Sequence, residues 1–164
     1  MKYSVHESEI KTGDILGWTH REWKSWYDFQ IQIVRMFTKS EFSHVGIAYW
    51  EDNKLYVIEA IGSGVRKSLL SENIPFYWIK AEPLSEKAIS FAKEQIGRRY
   101  ESKIKMVINY FWDLDLENNK RWQCSELVNA IYRVNKTPLT FIDEPSKIMQ
   151  VCWEKYNYIS YIGE

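Results

Sequence analysis

The chain has little from which a metal centre, a disulfide framework or a basic binding face could be built. Only two cysteines, Cys124 and Cys152, occur among 164 residues. They form no metal-ligand cluster, and nothing around them suggests a secreted disulfide scaffold, so reduced thiols in a cytosolic setting are expected. An excess of one charge is also missing, because 22 basic and 22 acidic residues cancel. Without a long run of either sign there is no electrostatic footprint for nucleic acid or for an anionic membrane surface. Partners must then be recognised by shape and chemistry. No apolar run approaches the roughly 18 to 20 residues that span a bilayer, and the N-terminal "MKYSVHESEI" lacks the apolar centre of a signal peptide. A soluble, cytoplasmic protein without a transmembrane segment is expected. Repeats, low-complexity tracts and Pro/Gly-rich linkers are absent too, so residues 1–164 are expected to share one core as a single domain. A chain of this length buries roughly two-thirds of the surface that its unfolded form exposes.

Aromatic residues, by contrast, are abundant: eight Trp and eleven Tyr. Such side chains line clefts or fill cores. "GDILGW" reads as a short strand behind a Gly-Asp turn, and Glu22 to Phe37 carries apolar residues at helical spacing. "SHVGIAYW" and "KLYVIEA" read as two strands joined by the polar "EDN" turn, and "FYWIKAE" offers another strand. "SEKAISFAKEQIG" has a capping Ser85, a stripe of Ala88, Ile89, Ala92 and Ile96, and a stop at Gly97. "DEPSKIMQ" reads as a short helix with Pro145 near its start, and "YNYISYI" as a closing strand. The order predicts an α+β fold with a mainly antiparallel sheet packed against helices.

"RWQCSELVNAIYRV" sets one cysteine where a polar loop gives way to helical periodicity. Cys124, Leu127, Val128, Ile131 and Val134 recur on one face, which puts the sulfur in the first helical turn. A cysteine on an apolar stripe is usually a small core hydrophobe. In a first turn, however, unpaired backbone N–H groups and the positive end of the helix dipole stabilise a thiolate. Cys152, in "MQVCWEKY", has no nearby histidine and reads as core.

A cysteine nucleophile needs a base within reach and a group that orients it. Of three histidines, His6 lies in a start expected to be unstructured and His20 in a polar stretch. His44 sits in the "SHVGIAYW" strand, sharing a face with Gly46 and Ala48. Those small neighbours leave space into which a helix end carrying Cys124 is expected to fit. If Asp52 and Asn53 form a two-residue loop, Glu51 faces Lys54, Ala48 faces Val57, Gly46 faces Glu59 and His44 faces Ile61. Glu59 is then diagonal to His44 on the same face, whereas a three-residue loop sends it to the other side. A carboxylate there fixes the imidazole tautomer and stabilises imidazolium, and it is costly to bury without such a partner.

"GDIL", "FSHVGIAYW", "YVIEA", "GRRY" after a helix, and "WDLDLENNKRWQCSELV" together resemble the YiiX-like, circularly permuted branch of the NlpC-type papain-fold cysteine hydrolases. The resemblance covers most of the chain, with His before Cys as the permuted order requires. It implies a permuted papain-like fold with Cys124 as nucleophile, His44 as base and Glu59 as polar third member. Tyr100 in "GRRY" matches a tyrosine common in that family. Thr19 to Ser40, with Trp23, Trp26 and Tyr27, matches no family motif and reads either as packing against the sheet or as a substrate-side elaboration. "DLDLEN" lacks the Gly and distal Glu of a calcium loop and reads as solvated loop.

The chemistry expected is attack of Cys124 on an amide or ester carbonyl, as in a peptidase or amidase, with no metal or organic cofactor. The backbone N–H of Cys124 would hold the oxyanion. Gln123 and the "GDILGW" segment, whose last residue is Trp18, are candidates for the second donor, with Tyr100 beside them as a substrate-side candidate. A lipid acyltransferase or thioesterase would use the same residues, and a non-catalytic binding module is the non-enzyme alternative. Small-molecule, peptide and acyl-lipid substrates all stay open, as does oligomeric state.

Overall fold

Apolar alternation in the sequence is realised as one antiparallel sheet. The computed structural model describes residues 1–19, 42–100, 121–157 and 159–163. "GDILGW" forms β1 (Ile15–Trp18), "SHVGIAYW" forms β2 (His44–Glu51) and "KLYVIEA" forms β3 (Lys54–Ile61). Asp52 and Asn53 join β2 to β3 with φ of 49° and 58°, the pair of left-handed residues through which a two-residue turn follows the twist of its strands. The register is the one expected from that turn, with Glu51 opposite Lys54 and Ala48 opposite Val57.

β4 (Gly64–Leu69) and β5 (Phe76–Ile79) follow, then β6 (Arg99–Tyr100), β7 (Arg121–Trp122) and β8 (Ser160–Ile162). Six strands lie in the order β4-β3-β2-β1-β5-β8, and every neighbouring pair is antiparallel. β6 and β7 make a separate short parallel pair. β4 has no strand signal in the sequence because Arg66 and Lys67 break its apolar run. Its place on β3 follows from the tight turn after Ile61.

The four α-helices of the described residues are α1 (Tyr3–His6), α2 (Glu86–Glu94), α3 (Cys124–Val134) and α4 (Pro145–Tyr156). α1 corrects the expectation of an unstructured start; its His6 meets Glu9 at 2.9 Å on the surface. α2 opens as expected on Ser85, whose hydroxyl accepts from the Ala88 N–H at 3.3 Å. α4 runs twelve residues from Pro145 and ends at a left-handed Asn157. It is therefore longer than the sequence suggested, and the closing strand begins only at Ser160. The helix expected over Glu22 to Phe37, His20 and the "DLDLEN" loop lie outside the described residues. No helix of the described residues is long and apolar enough to cross a membrane.

Strand alternation gives the sheet two apolar faces. Ile15, Val45, Ile47, Ile58 and Ala60 pack with Leu127, Val128 and Ile131 of α3, Ala88 of α2 and Ile148 of α4. Leu16, Trp18, Ala48, Val57, Phe76 and Trp78 form the other cluster with Ile10, Leu70 and Ile162. Each fully buried aliphatic side chain contributes about 1.5–3 kcal/mol, so both faces hold the sheet.

A buried carboxylate fastens the entry to β1. Asp14 accepts from the Trp78 indole at 2.8 Å, the Ala81 N–H at 3.0 Å and the Lys11 N–H at 2.9 Å. These donors offset the desolvation that pushes its pKa up. At the same corner the Tyr132 hydroxyl donates to the Gly13 carbonyl at 2.6 Å, tying α3 to the start of β1.

Candidate active site

Cys124 is the first residue of α3 and is 6% exposed. The turn that carries it is held by Glu126, whose carboxylate accepts from the Gln123 N–H at 3.3 Å. A second tether comes from Ser125, whose hydroxyl donates to the Asp143 carbonyl at 2.8 Å. Asn129, one turn on, donates to the Asp143 carboxylate at 2.6 Å. Behind Cys124 the stripe of Leu127, Val128 and Ile131 is fully buried.

That stripe packs on the Val45 and Ile47 face of β2, which corrects the expectation that the helix end fills space beside Gly46 and Ala48. The room at Gly46 is taken by the next strand instead. A Cβ there would lie 2.8 Å from Val57 Cγ2 and 3.2 Å from Glu59 Cβ. Gly46 therefore lets β3 close against β2 and bring Glu59 in. Cys124 and His44 meet because each begins its element, one at the helix start and the other at the strand start.

His44 stands opposite Trp18 of β1, and the two rings pack with centroids 5.3 Å apart. Its Nε2–H donates to Glu59 Oε2 at 2.5 Å. The Cys124 thiol is hydrogen-bonded to the same imidazole. Glu59, 2% exposed, is held from its far side by Arg66 of β4, its cross-strand partner. Arg66 Nε lies 2.8 Å and Nη2 2.7 Å from Glu59 Oε1. Arg66 Nη2 also reaches Asn73 Oδ1 at 3.4 Å. Asn73 in turn donates to the Leu69 carbonyl at 2.7 Å and the Ser68 hydroxyl at 3.1 Å.

The electrostatics follow from these contacts. Burial works against a charged His44, but the hydrogen bonds and charges of Cys124 and Glu59 outweigh it and raise the imidazole to about 9. Burial works against ionised Glu59 as well, yet His44 and Arg66 bring its carboxyl down to about 2. Glu59 is thus a carboxylate and His44 an imidazolium at neutral pH, its Nε2–H donated to Glu59 and the charge that remains favouring a thiolate at Cys124.

Of the residues singled out in the sequence, Cys124, His44 and Glu59 come together. Gln123 adjoins them, but its backbone donor is engaged by Glu126. Trp18 also adjoins them, with its indole N–H donated to the Asn73 carbonyl at 2.7 Å; that donor is spent on the scaffold. Tyr100 ends β6, and its side chain lies outside the described residues. Arg66 and Asn73 escaped sequence reading. The signal for Arg66 was present: a two-residue turn at Gly62 and Ser63 puts Ile61 opposite Gly64 and Glu59 opposite Arg66.

Residues 25–146, which include all three of these side chains, match the family model described as "Permuted papain-like amidase enzyme, YaeF/YiiX, C92 family". The chain belongs to this family of permuted papain-like enzymes. Among solved structures it is similar to "metalloprotein yiiX from Escherichia coli O157:H7", with a TM-score of 0.56 and 26% sequence identity over 77% of this chain and 66% of that one. The chain thus spans a little under two thirds of the length of that protein. No curated protein sequence matches it.

Proposed function

We propose that the protein is a cysteine-dependent amidase or peptidase that works through an acyl-enzyme on Cys124. The observation that carries this reading is the unbroken chain from the Cys124 thiol through the His44 imidazole to the Glu59 carboxylate. His44 holds the proton given up by the thiol as an imidazolium, and the thiolate of Cys124 attacks the carbonyl carbon. The S–C bond forms, the carbonyl π electrons move to oxygen, and Glu59 stabilises the imidazolium. First-turn N–H groups of a helix lack intrahelical acceptors, and the Cys124 N–H is the oxyanion donor; each such donor is typically worth about a hundredfold in rate. Collapse breaks the C–N bond, and His44 returns the proton to the leaving amine. Water, deprotonated by His44, then releases the acid and restores the thiol.

The family description as an amidase favours amides over esters, and the NlpC-type motif likeness of the sequence points the same way. The related structure is titled a metalloprotein. Among the described residues of this chain no group of three or more His, Cys, Asp or Glu side chains is arranged to hold a metal. His44 and Glu59 are bonded to each other. The donor set of the described residues does not fit a resident metal, and no step is routed through one.

The test is intact-mass spectrometry after exposure to a panel of peptide amides and carboxylic esters. Amide substrates should leave an acyl adduct on Cys124 that the Cys124→Ala variant lacks. Acylation by long-chain esters alone would turn the assignment to a lipid acyltransferase or thioesterase. A folded protein that neither accumulates adduct nor turns over any member of the panel would contradict both.

A further inference from the structure

The contacts on the far side of Glu59 form a circuit. Arg66 holds Glu59 Oε1 through two nitrogens at 2.8 and 2.7 Å, and Glu59 Oε2 holds His44 at 2.5 Å. Arg66 also touches the Asn73 side chain at 3.4 Å, and the Asn73 carbonyl accepts from Trp18, whose ring packs on His44 at 5.3 Å. The circuit runs from the imidazole through Glu59, Arg66, Asn73 and Trp18 back to the imidazole. It draws on four neighbouring strands, β1 to β4, and the loop before β5. A carboxylate that is 2% exposed is shut off from bulk solvent, so the position of its second oxygen depends on protein donors.

We infer that Arg66 is a positioning residue, whose forked contact locks Glu59 in the orientation that fixes His44 against Cys124. This rests on the proposed roles of Cys124 and His44. Arg66 acts through Glu59 and not on substrate, since its Nε and Nη2 are engaged inward. Its effect on the imidazole therefore runs opposite to its charge. A bare cation near His44 would disfavour imidazolium, whereas an arginine that aligns Glu59 favours it. Among the described residues, the charged and titratable groups that act on Glu59 are His44 and Arg66, and those that act on His44 are Cys124 and Glu59.

The test is the second-order rate of Cys124 alkylation by iodoacetamide at pH 6 and pH 10, read by intact mass in the full chain. At pH 6 the rate reports the thiolate–imidazolium pair; at pH 10 the thiol ionises without help from the histidine. Arg66→Met should slow labelling about tenfold at pH 6, the size of a coupling between contacting groups, and leave the rate at pH 10 unchanged. Arg66→Lys, which keeps the cation and the fold but not the fork, should fall between Arg66→Met and wild type. In a Glu59→Gln background Arg66→Met should add nothing. An unchanged or faster rate at pH 6, an equal loss at both pH values, a Lys variant equal to wild type, or additive losses would each overturn the inference. Failure of the underlying nucleophile would look different: wild-type Cys124 would then label no faster than Cys152.

Discussion

Cys124 and Cys152 are both buried cysteines on helices that pack against the same sheet face, yet their surroundings point to opposite chemistry. Cys152 lies inside α4, 0% exposed, and burial pushes its thiol up to about 12 with only Lys155 acting against it. Cys124 lies at a helix start against an imidazole that Glu59 backs. Burial is nearly the same, so burial does not separate a core thiol from a candidate nucleophile. Position along the helix and one polar neighbour do.

Mutation should widen that contrast. Cys124→Ala is expected to remove all turnover, whereas Cys152→Ala should leave turnover per folded molecule unchanged; steady-state hydrolysis of a substrate taken from the mass-spectrometric panel compares the two. His44→Ala should come next, lowering kcat/KM on the order of a thousandfold, as loss of a general base typically does.

Glu59→Gln should cost less, about ten- to a hundredfold in kcat, because an amide still orients the ring but stabilises imidazolium poorly. Glu59 helps raise His44 to about 9, so the alkaline limb of the pH–rate profile should move to lower pH in this variant. The stability consequence has a definite sign. Glu59, lowered from 4.5 to about 2, contributes stability that is complete above 4.5 and is lost as pH falls towards 2. His44, raised from 6.5, contributes stability that is complete below 6.5 and is lost as pH rises through about 9. Thermal unfolding followed against pH should show both limbs in the wild type and a flattened acid limb in Glu59→Gln. The smallest effect belongs to Cys152→Ser, which buries a hydroxyl in an apolar site. It should cost about 1–3 kcal/mol in chemical denaturation without changing the pH profile of turnover.

Much of this was legible in the sequence, and the exceptions share a cause. The β2–β3 register could be read because Asp52-Asn53 specifies a two-residue turn, and that turn put Glu59 on the face of His44. The helix start at Cys124 could be read from the spacing of Leu127, Val128 and Ile131. The face on which α3 packs could not. Gly46 and Ala48 looked like room for a helix, whereas the structure spends Gly46 on strand-to-strand closeness, and one-residue patterns do not tell those uses apart. Arg66 and Asn73 were missed because their contacts depend on where a charged strand and a loop settle, and neither carries an apolar period. Trp18 packs on His44, but the acceptor of its indole N–H lies 55 residues away in sequence, beyond the reach of local patterning.

The most direct test of the central claim needs no substrate. Folded protein is treated with iodoacetamide at neutral pH, and the two cysteines are followed separately by peptide mass mapping. Cys124 should be alkylated well before Cys152, with His44→Ala removing most of that lead. Equal rates, or faster labelling of Cys152, would contradict a nucleophilic Cys124.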